Sequence, residues 1–364
     1  MGKSAVCGLR FLLVLGILTQ GSNVHFVSAQ SFPALVCIGA SQSDVGVNNN
    51  VQGSVARANF LPYGRDFING NRRGPTGRFS NGKILPDLLA ENFGLPFPLP
   101  YNNPTATGAA IVQGINTASA GSGWLNGTSS ALGVIPGTQQ VQWVKKWQQN
   151  LVAQVGASRA STIVQESPYL INISDNDILA YFQSTELQQQ YTEEQYRKLI
   201  IDTAVSNIKD LYSGGARKFA VTSVSARGCS PGQITRYQPT KRDQCVGKIQ
   251  TFVQKYNTEY KGATQSLQST LPGSKFFFAD TFSITVDLFL NPSKYGFREN
   301  TSRACCGTGT FETGPLCNSL SIGTCLNATN YLFFDSEHYS QNAWRIIVGT
   351  FIEDLKSSLL TQSP

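Results

Sequence analysis

The sequence is poor in charge, in histidine and in long apolar runs, and each shortage excludes something. Charged residues make up 14% of the 364 positions and form no dense Lys/Arg tract, so the footprint of a nucleic-acid-binding surface is missing. Beyond residue 29 no apolar run approaches the roughly 20 residues that span a bilayer, and no integral membrane segment is expected. Histidine occurs twice, at His25 and His338. The adjacent pair Cys305-Cys306 is wrong for a zinc site, which also commonly takes histidine, so no metal ligand set is read. The Gly-x-Ser-x-Gly elbow of the classical α/β-hydrolase fold is absent. No repeat or linker-like tract divides the chain, and residues 30–364 are read as one domain.

What is present begins with a leader. Lys3 and Arg10 precede the apolar run Phe11 to Leu18, and the small residues Val27-Ser28-Ala29 precede Gln30, the order of a secretory signal peptide. Residues 1–29 are expected to be removed and the protein to be secreted. They hold two of the 29 basic residues and none of the 22 acidic ones, so the remainder carries a mild net charge of +5. Seven of the eight cysteines remain. In an oxidising compartment an even number pair. Cys37 lies in the apolar run Ala34 to Ile38 and is expected to stay a buried thiol. Cys229 and Cys245 enclose a short polar segment and are the natural pair, while the connectivity of Cys305, Cys306, Cys317 and Cys325 is left open. Sequons at Asn126, Asn300 and Asn327 are glycosylation candidates. Asn172 also heads a sequon, but it falls in Tyr169 to Ile173, read as a buried strand that no glycan reaches.

Short apolar runs alternate with helical periodicity, the pattern of a parallel sheet covered by helices. The strand candidates are Ala34 to Ile38, Gly114 to Ala118, Tyr169 to Ile173, Lys218 to Val224 and Lys275 to Ala279. Thr192 to Gln195 matches a capping box, with Tyr196, Ile200, Ala204, Ile208 and Leu211 on one face until Gly214-Gly215. Ser340 caps a last helix with the stripe Trp344, Ile347, Val348, Phe351, Ile352 and Leu355, read as continuous. Two long loops, residues 45–82 and 96–104, are both expected to border a substrate cleft at the carboxyl ends of the strands.

With His25 in the leader, any imidazole chemistry must use His338. Asp335 stands three residues before it, a spacing at which a carboxylate can accept the Nδ1 proton and stabilise an imidazolium. A serine hydroxyl becomes a nucleophile when such a base removes its proton. Ser41 is the favoured serine, because the strand Ala34 to Ile38 runs into Gly39-Ala40-Ser41 and presents a hydroxyl at its carboxyl end.

At these residues the chain resembles the plant GDSL esterase/lipase family of the SGNH hydrolases. The matching blocks run Ile38 to Gly46 with Asn48-Asn49-Asn50, Pro62 to Phe67, Pro75 to Gly82, Asn116 to Gly123, Ile173 to Asp177, and Asp335-Ser336-Glu337-His338. Together they reach from about Phe32 to Leu355. The resemblance implies a flavodoxin-like three-layer α/β/α sandwich with a five-stranded parallel sheet. It also implies a nucleophile at Ser41, an acid and base at Asp335 and His338, and an oxyanion hole from the N–H groups of Ser41 and Gly121 with the amide of Asn176.

The departures are local. The namesake Gly-Asp-Ser-Leu reads Gly39-Ala40-Ser41-Gln42, Ser174 stands where the third block has glycine, and Tyr339 follows the histidine where the family has proline. The sequence thus predicts a secreted esterase/lipase or acyltransferase, working without cofactor on a small-molecule or lipid ester. A catalytically weak family member acting as a binding or modifier protein is the alternative. Neither the individual ester, the choice of water or alcohol as acceptor, nor the oligomeric state is written in the sequence.

Overall fold

The computed structural model describes residues 30–238, 240, 243–298 and 301–360. The leader assignment and Asn300 therefore lie outside the described residues. Five strands form one parallel sheet: β1 (Leu35–Gly39), β2 (Gly114–Asn116), β3 (Pro168–Asn172), β4 (Lys218–Thr222) and β5 (Lys275–Ala279). Their spatial order is β2-β1-β3-β4-β5, the flavodoxin-like order. The expected runs are these strands: Lys275 to Ala279 coincides with β5, and the ends of the other four differ by at most two residues. β1 is apolar along its whole length because both its faces are covered, as parallel strands require. Cys37 sits in its middle, paired with Asn116 on one side and Leu170 on the other, and burial pushes its thiol pKa well up.

The helices are α1 (Leu85–Phe93), α2 (Gly137–Val155), α3 (Ala157–Glu166), α4 (Asp175–Gln183), α5 (Thr185–Gln190), α6 (Glu193–Ser213), α7 (Pro231–Tyr237), α8 (Gly247–Thr270), α9 (Thr281–Leu290), α10 (Gln341–Gly349) and α11 (Ile352–Leu360). One layer runs α3-α2-α6-α8, with α2 on β1 and α8 on β5; the other joins α1, α10 and α11, with α11 on β4 and β5. Helix α6 begins with the expected capping box, Thr192 accepting from Gln195 N and the Gln195 side chain accepting from Thr192 N.

Two expectations need correction. The last apolar stripe is buried as read, but it lies on two helices. The Thr350 hydroxyl and N–H both donate to Ile347 O, the carbonyl a continuous helix would offer to Phe351, and Phe351 N turns to Val348 O instead. A threonine bonding back to the preceding turn after Gly349 thus breaks the helix while keeping its apolar face. The loop at 96–104 does not border the cleft. Asn116 N donates to Leu99 O and Tyr101 N to Asn116 O, so this loop is stitched along the outer edge of β2.

Three disulfides join Cys229 to Cys245, Cys305 to Cys325 and Cys306 to Cys317. The first and the free, buried Cys37 are as expected; the other two resolve the connectivity left open. No helix among the described residues is long and apolar enough to cross a membrane.

Candidate active site

The strand order reverses on either side of β1, and in open α/β sheets such a switch point leaves a crevice at the carboxyl edge. Ser41 enters it directly after β1. The turn is tight: a Cβ on Gly39 would stand 2.8 Å from Asn172 O and from Ser43 Cβ, so only glycine fits. Ala40 N donates to Asn172 O, and the Ser43 hydroxyl donates to the Asn172 side chain. Asn172 is thus buried and fully engaged, also donating to Thr222 Oγ1, which is why its sequon points inward.

The turn is also held by a carboxylate that the sequence reading assigned no role. Asp44 accepts from Gly46 N at 2.7 Å and Val47 N at 2.6 Å through one oxygen, and from Ala120 N at 2.9 Å through the other. It ties the serine loop to the residue before Gly121. Burial raises its pKa to about 6 despite those backbone donors.

On the opposite wall, residues 333–339 form a tight loop closed by Phe334 N to His338 O and Ser340 N to Leu332 O. Asp335 folds back on it, one oxygen accepting from Glu337 N and His338 N at 2.8 Å each, the turn geometry an aspartate favours. This brings the two side chains together. His338 Nδ1 lies 2.7 and 2.8 Å from the Asp335 oxygens, and its Nε2 lies 2.7 Å from Ser41 Oγ. With Nδ1–H donated to the carboxylate, Nε2 is the acceptor for the serine proton. Asp335 is fully buried and His338 7% exposed, packed against Phe79.

Two groups around this pair were not assigned from sequence. The buried Tyr63 hydroxyl donates to Asp335 Oδ2 at 2.6 Å, accepts from Gly314 N, and is joined there by Thr313 Oγ1. Burial and then the Asp335 charge hold its pKa far up, so it stays a donor. Glu337, inside the Asp335–His338 loop, is anchored by Arg227, Ser230 and Gln233. Tyr63 was visible in sequence as part of Pro62-Tyr63-Gly64, but its partner lies 272 residues away.

The expected oxyanion donors converge on the same cavity, of about 550 Å³, lined by Ser41, Gly121, Asn176 and His338. Among the described residues no other hydrogen bond claims Ser41 N or Gly121 N. Asn176, in the first turn of α4, is oriented by donating to Ser122 O at 2.9 Å. Asp177 ties that turn to the Gly121 loop by accepting from Trp124 N, Leu125 N and Thr128 Oγ1, and burial raises its pKa to about 6. Val55, Ala56 and Leu132 form an apolar wall beside Gly121; Gln183, Gln233 and Arg236 line the other end.

The sequence departures have local accounts. Ser174, in the glycine place before α4, adopts φ +120°, and its hydroxyl lies 2.8 Å from the Tyr256 hydroxyl. Tyr339 fills the proline place as a buried ring stacked on Phe333 and edge-on to Trp344. Gln42 is buried on the cavity lining, its Nε2 without a partner among the described residues.

A serine hydroxyl bonded to an imidazole that a buried carboxylate orients, at the carboxyl edge of a flavodoxin-like sheet, defines a serine hydrolase of the SGNH kind. Sequence comparison carries this further. The chain belongs to the GDSL-like lipase/acylhydrolase family, whose model matches residues 35–348. It is 38% identical to GDSL esterase/lipase APG of Arabidopsis thaliana over 349 residues, 95% of this chain and 97% of that protein. It is likewise 38% identical to GDSL esterase/lipase At5g03820 of the same plant over 323 residues, 88% of this chain and 90% of the other. By family, then, the protein is a serine esterase/lipase.

Proposed function

We propose that the protein hydrolyses or transfers carboxylic esters through an acyl-enzyme on Ser41. The observation that carries this is the unbroken chain from Ser41 Oγ through His338 to Asp335, with contacts of 2.7 to 2.8 Å. His338 Nε2 takes the serine proton as Oγ attacks the ester carbonyl. Negative charge developing on the carbonyl oxygen is met by Ser41 N–H, Gly121 N–H and the Asn176 amide, each such donor contributing roughly 3 kcal/mol to the transition state. The imidazolium then protonates the departing alcohol, leaving the acyl group on Ser41. Water or a second alcohol attacks that acyl group with His338 again as base, which regenerates the serine.

Residues 1–29 read as a leader, and three disulfides suit an oxidising compartment, so the same proposal places the protein outside the cell. Asn126 and Asn327 are exposed and are the sequons proposed to carry glycans, together with Asn300. A fluorophosphonate probe tests the chemistry. Labelling is expected in the parent protein and absent in Ser41→Ala; a parent that takes no label while correctly folded would be a binding protein instead of an enzyme.

A further inference from the structure

Large apolar side chains are concentrated on one exposed segment. Leu320, Ile322 and Leu326 are 85%, 89% and 102% exposed, and Phe311 and Leu316 are exposed beside them. The segment cannot fold these groups away, because Cys305–Cys325 and Cys306–Cys317 staple it and Ser321 Oγ fastens it to Leu316 O. From Thr313 to Tyr331 it holds no charged residue. Glu312, just before it, is turned inward onto the N–H groups of Thr308, Thr310 and Phe311. An apolar cluster this exposed marks a surface that meets something apolar.

The same segment forms part of the catalytic mouth. Thr313 and Gly314 bond to Asp335 and Tyr63, Thr313 to Pro315 line the cavity, and Gly314 faces Arg57 O, next to the apolar wall at Val55 and Ala56. The segment that carries the apolar cluster is therefore also one wall of the cavity. Among the described residues arginines outnumber carboxylates at its edge: Arg65 donates to Cys325 O, Arg298 lies over Tyr331 and Arg303 donates to Thr308 O, against Asp66, which pairs with Arg65, and the inward-turned Glu312. This excess of arginine suits the phosphate headgroups of a lipid surface.

We propose that the segment from Phe311 to Leu326 docks on a lipid surface and passes ester-bearing lipid along the Val55–Leu132 wall to Ser41. The final step of this inference rests on the ester chemistry above; the docking itself does not. The test is co-sedimentation with phosphatidylcholine vesicles. The parent is expected to bind, and Leu320→Ser/Ile322→Ser/Leu326→Ser to bind at least about 1,000-fold less, given the transfer free energy of three aliphatic side chains. Hydrolysis of water-soluble p-nitrophenyl acetate should stay within about two-fold, because none of the three residues lines the cavity.

A parent that ignores vesicles, or a triple variant that binds as well as the parent, overturns the proposal. So does a parent dimer, seen by light scattering, that the triple variant splits. Binding by Asn327→Gln but not by the parent overturns it as well, since a glycan beside Leu326 would then be the cover. The two readings fail separately: vesicle binding without Ser41 labelling refutes the ester chemistry alone, and labelling without vesicle binding refutes docking alone.

Discussion

The turn that carries Ser41 and the turn that carries His338 are built alike. In each, a buried aspartate folds back to accept the N–H groups two and three residues ahead: Asp44 from Gly46 and Val47, Asp335 from Glu337 and His338. They differ in what the second oxygen meets. That of Asp44 meets the backbone N–H of Ala120, whereas that of Asp335 meets the hydroxyls of Tyr63 and Thr313 and the imidazole. One local device thus serves two ends. At Asp44 it fixes the position of a loop; at Asp335 it also sets a carboxylate against the His338 imidazole.

The largest effect should come from removing the charge of that carboxylate. Asp335→Asn keeps an acceptor for the two N–H groups but loses the anion and favours the wrong imidazole tautomer. The rate constant kcat on a short ester is expected to fall by about 10³- to 10⁴-fold with the fold intact, as in other serine hydrolases. A loss below ten-fold would mean that the two aspartates do the same job.

Asp44→Asn should cost less. Its amide can still accept from Gly46 and Val47 but presents N–H to Ala120 N–H, which loosens the approach to Gly121; a fall in kcat of about ten- to 100-fold is expected with KM little changed. The variant also has a stability signature. The Asp44 pKa is raised in the folded protein, so its contribution is full below about pH 4 and is lost as pH rises through about 6. That loss amounts to up to about 3 kcal/mol, and thermal unfolding at pH 5 and pH 7 should differ less in Asp44→Asn than in the parent. An unchanged difference would remove Asp44 as its source.

Tyr63→Phe sharpens the comparison from the other side. Asp335 loses a donor and binds the imidazole proton more strongly, so the acid limb of the kcat/KM profile should move to higher pH, with a loss of about three- to ten-fold near pH 7. A profile that falls without moving would assign Tyr63 a packing role only. The smallest effect is expected at Gln42→Leu. It removes a buried amide donor without a partner among the described residues and should stabilise the protein by about 1 kcal/mol, read as a rise in Tm of roughly 2 °C. Loss of stability would show that the amide has a partner in solution.

This comparison also measures how much was legible in the sequence. Strands β1, β3 and β4 were readable because burial on both faces leaves a largely apolar run, and Asp335 with His338 because their pairing is local. Asp44 lies within the first block, but its role is hidden there because its partner Ala120 lies 76 residues on. The sequence raised a real question, namely what holds the serine turn once alanine replaces the aspartate before it. The answer stands three residues after Ser41. Arg227 on Glu337 and the stitching of residues 99–101 to β2 are tertiary in the same sense. The broken last helix was missed for a different reason: its apolar stripe continues across the break, so periodicity could not reveal it.

Ser174 has a consequence for the order in which substitutions can accumulate. A residue other than glycine at φ +120° carries about 1 to 3 kcal/mol of backbone strain, here set against a hydroxyl contact with Tyr256. The two positions are therefore epistatic. Ser174→Gly alone should be close to neutral, because relief of strain offsets the lost bond. Tyr256→Phe alone should be costly, since the strain remains and the buried serine is left unpaired. The double variant should cost less than the sum of the two, by about 1 kcal/mol in a double-mutant cycle. Of the two routes between a glycine–phenylalanine chain and this one, the accessible route gains the tyrosine first, and a chain that takes the serine first passes through its least stable intermediate.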